Sequence, residues 1–96
     1  MCVSHRDIKL ENILIDDDDR IKIIDFGFSV KGGSLGTIVS NYCGTPAYMA
    51  PEIVKKVPYQ PHLADIWALG VLLHVLLTGK YPFHGSSEQD LYRKIK

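Results

Sequence analysis

Residues 65–79, DIWALGVLLHVLLTG, decide how this chain is read. From Ile66 to Leu77 only Gly70 and His74 interrupt an apolar run, so no polar stripe exists at helical or strand period. A helix that is apolar on every side has to be enclosed by protein or by lipid. The run itself is shorter than the ~18 residues a bilayer span requires. Pro61 stands just before it, and Gly79 then Pro82 just after, which are helix start and stop signals. The stretch therefore reads as a buried central helix, with a core strand as the alternative.

Outward from that helix, a short helical patch is expected near Ile53 to Lys55. A last helix is expected from about Ser87, with Ser86 and Gln89 as its capping box. Upstream, Ile13-Leu14-Ile15 and Ile21-Lys22-Ile23-Ile24 flank the acidic run Asp16 to Asp19, the pattern of a strand–turn–strand hairpin. The aspartates are not a calcium loop, which needs spaced acids, an internal Gly and a distal Glu. Residues 28–42 lack any period and read as a long loop, and loops of that length are usually functional or disordered. Residues 1–4 are too few to form an element alone.

Composition narrows the function classes. With 11 basic and 11 acidic residues among 96, nothing pulls the chain electrostatically toward nucleic acid or a membrane surface, and neither partner is expected. Cys2 and Cys43 lie far apart without metal-ligand spacing, and MCVSHRD has no apolar signal region, so a cytoplasmic or nuclear setting is expected.

The chemistry-bearing residues gather in two places. Asp7 and Lys9 stand two apart in the polar stretch His5 to Asn12, and Asp25-Phe26-Gly27 follows the second strand. A hairpin of this length returns the chain, so Asp25 is expected to face Asn12 across a gap that suits a divalent ion. A carboxylate and an amide oxygen are hard ligands of the kind Mg²⁺ takes, usually alongside phosphates. Asp7 can accept a hydroxyl proton, and Lys9 can neutralise charge on a transferred group. Phosphoryl transfer needs these parts in this order. The alternative is a charged loop with incidental acids.

These residues resemble the eukaryotic protein kinase family. His5 to Asn12 is similar to its catalytic loop, Asp25-Phe26-Gly27 to its metal-binding triplet, and Ala50-Pro51-Glu52 to the end of its activation segment. The resemblance covers essentially all of residues 1–96. It implies a protein-kinase-like α+β fold, namely a partial, mainly helical C-terminal lobe with a small hairpin, a catalytic loop, an activation segment and the buried central helix. It further implies a serine/threonine protein kinase using ATP and Mg²⁺, most like the calcium/calmodulin-dependent and AMP-activated group. Its partners would be protein substrates with Ser or Thr acceptors and an upstream activating kinase.

By the same resemblance, Asp7 orients the substrate hydroxyl and takes its proton, and Lys9 stabilises the γ-phosphate. Asn12 and Asp25 hold Mg²⁺. Leu14 lies beneath adenine, and Glu11 lies at the nucleotide and substrate side. Gly44, Thr45 and Pro46 border the substrate, with the Thr45 hydroxyl bridging Asp7 and Lys9. His5, Phe26 and Gly27 are packing members of the site. Asp65 accepts backbone N–H groups of the catalytic loop, and Glu52 pairs with an arginine beyond Lys96. Arg6 receives an activation-loop phosphate.

Some positions depart from the family pattern. Asn41 occupies the usual phosphothreonine position and cannot be phosphorylated, so Ser40 is the first substitute and Thr37 the second. Leu10 replaces a common proline. Val75 stands where a second acid would strengthen a basic-substrate preference. A glycine-rich loop, a strand lysine and a hinge have no counterpart here, so residues 1–96 are expected to form part of a kinase domain, without its N-terminal lobe and last helices. The isolated chain is expected to be inactive and to expose apolar surface. The competing expectations are a truncated, non-catalytic interaction module and a gene fragment.

Overall fold

The structure, a computed structural model, describes residues 2–25, 27, 30–32, 38–40 and 42–96. Among these the elements run β1 (Cys2–Ser4), β2 (Ile13–Ile15), β3 (Ile21–Ile23), β4 (Val30–Gly32), α1 (Pro51–Val54), α2 (Pro61–Thr78) and α3 (Glu88–Ile95). Single 3-10 turns cover Leu10–Asn12 and Pro46–Tyr48. The architecture is the mainly helical fold with a small antiparallel hairpin that the sequence implies.

α2 is the expected central helix, and it begins a turn before the apolar run. Pro61 sits at the start of the helix, where a missing N–H costs nothing. Gly79 ends it in the left-handed region at φ 74, its N–H bonded to Val75 O at 2.8 Å. With 18 residues it is long and apolar enough, by length and composition alone, to cross a membrane. The added turn thus removes the length argument made from the run. What makes α2 a domain core is its packing. Ala68, Val71 and Leu72 bury against Ile8 and Tyr48, while Ala64 joins Ala50, Ile53 and Tyr59. Trp67 touches both clusters. The small Ala64 and Ala68 let the segments bearing Ile8 and Ala50 approach the helix closely.

The remaining sides of α2 have little cover. Leu73, Leu76 and Leu77 are 57%, 62% and 77% exposed, and Leu63, Ile66 and Leu69 are also exposed. Fully burying a leucine is worth ~1.5–3 kcal/mol, so this surface forgoes much of the stabilisation its composition offers.

The hairpin pairs Ile13 with Ile23, Leu14 with Lys22 and Ile15 with Ile21. Its acidic turn is closed by Asp16, whose Oδ1 accepts from the N–H groups of Asp18 and Arg20, each at 2.9 Å. The ladder extends one step past the strands, with Ile24 N donating to Asn12 O at 2.9 Å.

Two local expectations need correction. Residues 2–4 do form an element: β1 pairs antiparallel with β4, which lies inside the stretch read as loop. The partner is distant in sequence, so no local pattern marks either strand. The cap of α3 is shifted by one. Ser87, not Ser86, is the N-cap, its hydroxyl accepting from Asp90 N at 3.2 Å. The returning arm is Asp90 Oδ2, which accepts from Ser86 N at 3.1 Å, so Asp90 takes the place assigned to Gln89.

Candidate active site

Asp65, in the second turn of α2, holds the loop that carries Asp7. Its two carboxylate oxygens accept the backbone N–H groups of His5 at 2.8 Å and Arg6 at 2.9 Å. Arg6 adopts a left-handed backbone at φ 69. That conformation costs ~1–3 kcal/mol for a residue other than glycine. Two hydrogen bonds to a carboxylate, each worth ~1.5–3 kcal/mol, are enough to maintain it. The loop is therefore bent where Asp7 must leave it, and the bend is set by a residue on the central helix.

His5 fixes the same loop from the other side. Asp7 N donates to His5 Nδ1 at 3.0 Å, so that nitrogen carries no proton; Nε2 then bears it and donates to Ile24 O at 2.7 Å. One buried ring thus joins Asp7 to the residue preceding Asp25.

Around the Asp7 carboxylate, Thr45 Oγ1 donates to Oδ1 at 2.8 Å, and Lys9 Nζ lies 3.8 Å from Oδ2. Of the contacts in the expected Thr45 bridge, the described residues show the one to Asp7, while Lys9 meets Asp7 at its other carboxylate oxygen. Asp7 and Asn12 are buried, while Lys9 is partly open. Asn12 Nδ2 donates to Asp7 O at 2.9 Å, which leaves Oδ1, an amide oxygen, as its acceptor atom. Since Asn12 O already pairs with Ile24 N, Asp25 is the next residue along and stands at the same end of the hairpin. Asp25 has a left-handed backbone at φ 63, is exposed, and its Oδ1 accepts from Gly27 N at 3.3 Å. A side chain at position 27 would begin 3.2 Å from that oxygen, so glycine keeps the carboxylate open.

The donor set is thus an amide oxygen and a carboxylate at one hairpin end, hard oxygens that fit Mg²⁺. Glu11 and Leu14 are exposed on the same hairpin and its preceding turn. Behind Asp7 lies a cavity of only about 20 Å³, bordered by Gly44, Thr45, Tyr48 and Met49, with space for one water rather than a nucleotide.

Gly44 sits at φ 128, and a β-carbon there would lie 3.3 Å from Arg6 O, so the segment bearing Thr45 reaches the loop only with glycine at this point. Pro46 then starts the turn Pro46–Tyr48. Tyr48, which sequence reasoning left without a role, accepts from Leu10 N at 3.2 Å through its hydroxyl. Burial pushes its phenol up, the Leu10 bond opposing. Tyr59, also overlooked, accepts from Arg6 Nη1 at 3.5 Å. Both tyrosines look like ordinary core aromatics in sequence, and only their hydroxyl partners distinguish them.

Ser40 is exposed, next to Val39, whose backbone pairs with Tyr59. Glu52 lies in the first turn of α1 and forms no ion pair among the described residues. Phe26, Thr37 and Asn41 lie outside the described residues.

Comparison with known proteins gives the family. The model of the protein kinase domain family matches residues 1–96. The chain belongs to that family, and its serine/threonine branch. It is 48% identical over 99 residues to CBL-interacting serine/threonine-protein kinase 2 of Arabidopsis thaliana, covering 97% of this chain and 21% of the relative. It is 46% identical over 93 residues to putative sperm motility kinase W of Mus musculus, covering 97% and 18%. With maternal embryonic leucine zipper kinase of Danio rerio it shares 48% identity over 93 residues, covering 96% and 14%. The chain thus spans about a fifth, or less, of the length of these relatives.

Proposed function

We propose that this chain is the phosphoryl-transfer portion of an ATP- and Mg²⁺-dependent serine/threonine protein kinase, with Asp7 as catalytic base. The observation that carries the proposal is the division of labour on the Asp7 carboxylate. Thr45 Oγ1 occupies Oδ1 at 2.8 Å, so Oδ2 is the oxygen that takes the proton of a substrate Ser or Thr hydroxyl. Lys9, 3.8 Å from Oδ2, carries positive charge to the place where charge builds on the transferred group.

Asn12 Oδ1 and the Asp25 carboxylate would hold the metal, which when bound neutralises phosphate charge and orients the phosphates for in-line transfer. The chain's own part is positioning. Asp65 sets the loop, His5 ties Asp7 to Ile24, and Asn12 ties itself to Asp7 O. Leu14 and Glu11 border the nucleotide, and Gly44, Thr45 and Pro46 border the acceptor peptide. Residues 1–96 constitute part of a kinase domain, and the isolated chain transfers no phosphate.

The test is a chimera in which residues 1–96 replace the aligned segment of the Arabidopsis relative, assayed on a Ser/Thr peptide. Activity is expected, with Asp7→Asn reducing kcat at least ~100-fold at unchanged nucleotide binding. A folded chimera that binds nucleotide but transfers no phosphate would favour the non-catalytic module, the alternative that the uncovered face of α2 supports.

A further inference from the structure

We propose that Tyr59 is a positioning residue that ties the stretch around Val39 to the Arg6–Asp7 turn. The residue is 3% exposed, within the cluster of Ala50, Ile53 and Ala64. Its backbone pairs with Val39 in both directions, Val39 N to Tyr59 O at 2.8 Å and Tyr59 N to Val39 O at 3.0 Å. Its ring lies 6.0 Å from that of Tyr42, tilted by 31°. Its hydroxyl meets the Arg6 guanidinium at 3.5 Å and the Cys43 thiol.

A phenol oxygen buried in an apolar cluster needs partners, and Arg6 with Cys43 supplies them. Burial raises the phenol pKa, while the Arg6 bond acts in the opposite direction. The Arg6 main chain is already fixed by Asp65, at φ 69. What the Tyr59 hydroxyl can set is therefore the posture of the Arg6 side chain. Because the same tyrosine anchors Val39, Tyr42 and Cys43, the order of those three residues and the placement of the guanidinium become one equilibrium. This coupling does not rest on the phosphoryl-transfer proposal.

The experiment uses the kinase chimera without nucleotide, in four forms: unsubstituted, Tyr59→Phe, Arg6→Met and the double variant. Alkylation of Cys43 and backbone hydrogen exchange are followed by mass spectrometry, which separates the Cys43 peptide from those of the other cysteines. Each single substitution is expected to accelerate Cys43 alkylation and exchange at Val39 about fivefold, leaving the hairpin of β2 and β3 unchanged. The double variant is expected to be no faster than the singles. A tyrosine that only fills space would give additive effects, or none at Val39, and either result overturns the proposal. If Tyr59→Phe also loosens the hairpin, Arg6→Met decides alone: local acceleration at Val39 supports the coupling, and its absence ends it. A chimera that folds but transfers no phosphate would leave this measurement unaffected.

Discussion

Thr45 Oγ1 lies 2.8 Å from Asp7 Oδ1, across 38 positions of sequence, and joins the segment after Gly44 to the loop after Arg6. The bond consumes one acceptor oxygen of the proposed base and so determines which oxygen faces the substrate. Thr45→Val removes the donor while keeping the volume. In the chimera, kcat is expected to fall about 10- to 100-fold with KM for nucleotide unchanged, and Thr45→Ser is expected to restore most of it. Equal kcat for the valine and serine variants would remove Thr45 from the site.

Asp65 bears on stability as well as on the site. Asp65→Ala leaves the N–H groups of His5 and Arg6 without their acceptor and Arg6 in a costly conformation. The expected loss is ~3 kcal/mol or more, read as a lowered denaturation midpoint of the chimera. Asp65→Asn keeps one acceptor oxygen and is expected to lose about half as much. The charge and the second acceptor account for the difference.

The parts of the fold legible in sequence are those governed by local rules. The α2 run, Gly79 and the Asp16 turn each follow from short-range chemistry, and each lies where expected. The pairing of β1 with β4 did not show, because three-residue strands depend on a distant partner rather than on their own pattern. The Ser87 cap was missed by one residue because Ser86 and Ser87 offer the same hydroxyl, and only Asp90 discriminates between them. Tyr48 and Tyr59 were hidden for a related reason. Their rings answer to burial, and their hydroxyl partners are set by tertiary contact.

The uncovered side of α2 predicts the behaviour of the isolated chain. Leu73, Leu76 and Leu77 place an apolar strip in water. The chain is expected to self-associate at micromolar concentration and to show no cooperative thermal transition. Leu73→Lys with Leu77→Lys, on a surface that touches neither core cluster, is expected to lower the association measured by sedimentation. A monomeric, cooperatively melting native chain would contradict this.

Tyr92 provides a pH test confined to α3. Its hydroxyl donates to Glu88 Oε1 at 2.6 Å, and partial burial with that bond pushes the phenol pKa up to about 12, from 10.0. An acid whose folded pKa is raised resists deprotonation only while folded. Its contribution is complete below pH 10 and is lost as pH rises toward 12. Absorbance at ~295 nm, as the difference between the unsubstituted chimera and its Tyr92→Phe variant, should place its titration well above that of ordinary tyrosine. Glu88→Gln removes the carboxylate charge and is expected to bring the titration down. An unchanged midpoint in Glu88→Gln would assign the shift to burial alone.

Ser40 poses the question of how the segment is ordered. It is exposed beside Val39, whose backbone partner Tyr59 also meets the Arg6 guanidinium. Asn41, at the position where the family resemblance implies a phosphothreonine, has no hydroxyl to carry a phosphate. A phosphate on Ser40 would bring about −1.5 to −2 charge within the neighbourhood that Tyr59 links to Arg6, and a guanidinium binds such an anion through paired hydrogen bonds. Incubating the chimera with an activating kinase is expected to phosphorylate Ser40 and raise kcat about tenfold or more, with Thr37 as the secondary acceptor. Ser40→Ala should abolish the increase, and Arg6→Met should abolish it while leaving Ser40 phosphorylated. Activation that survives Ser40→Ala but not Thr37→Ala would move the modification to Thr37. Activation that survives Arg6→Met would mean that the phosphate acts through some group other than this arginine.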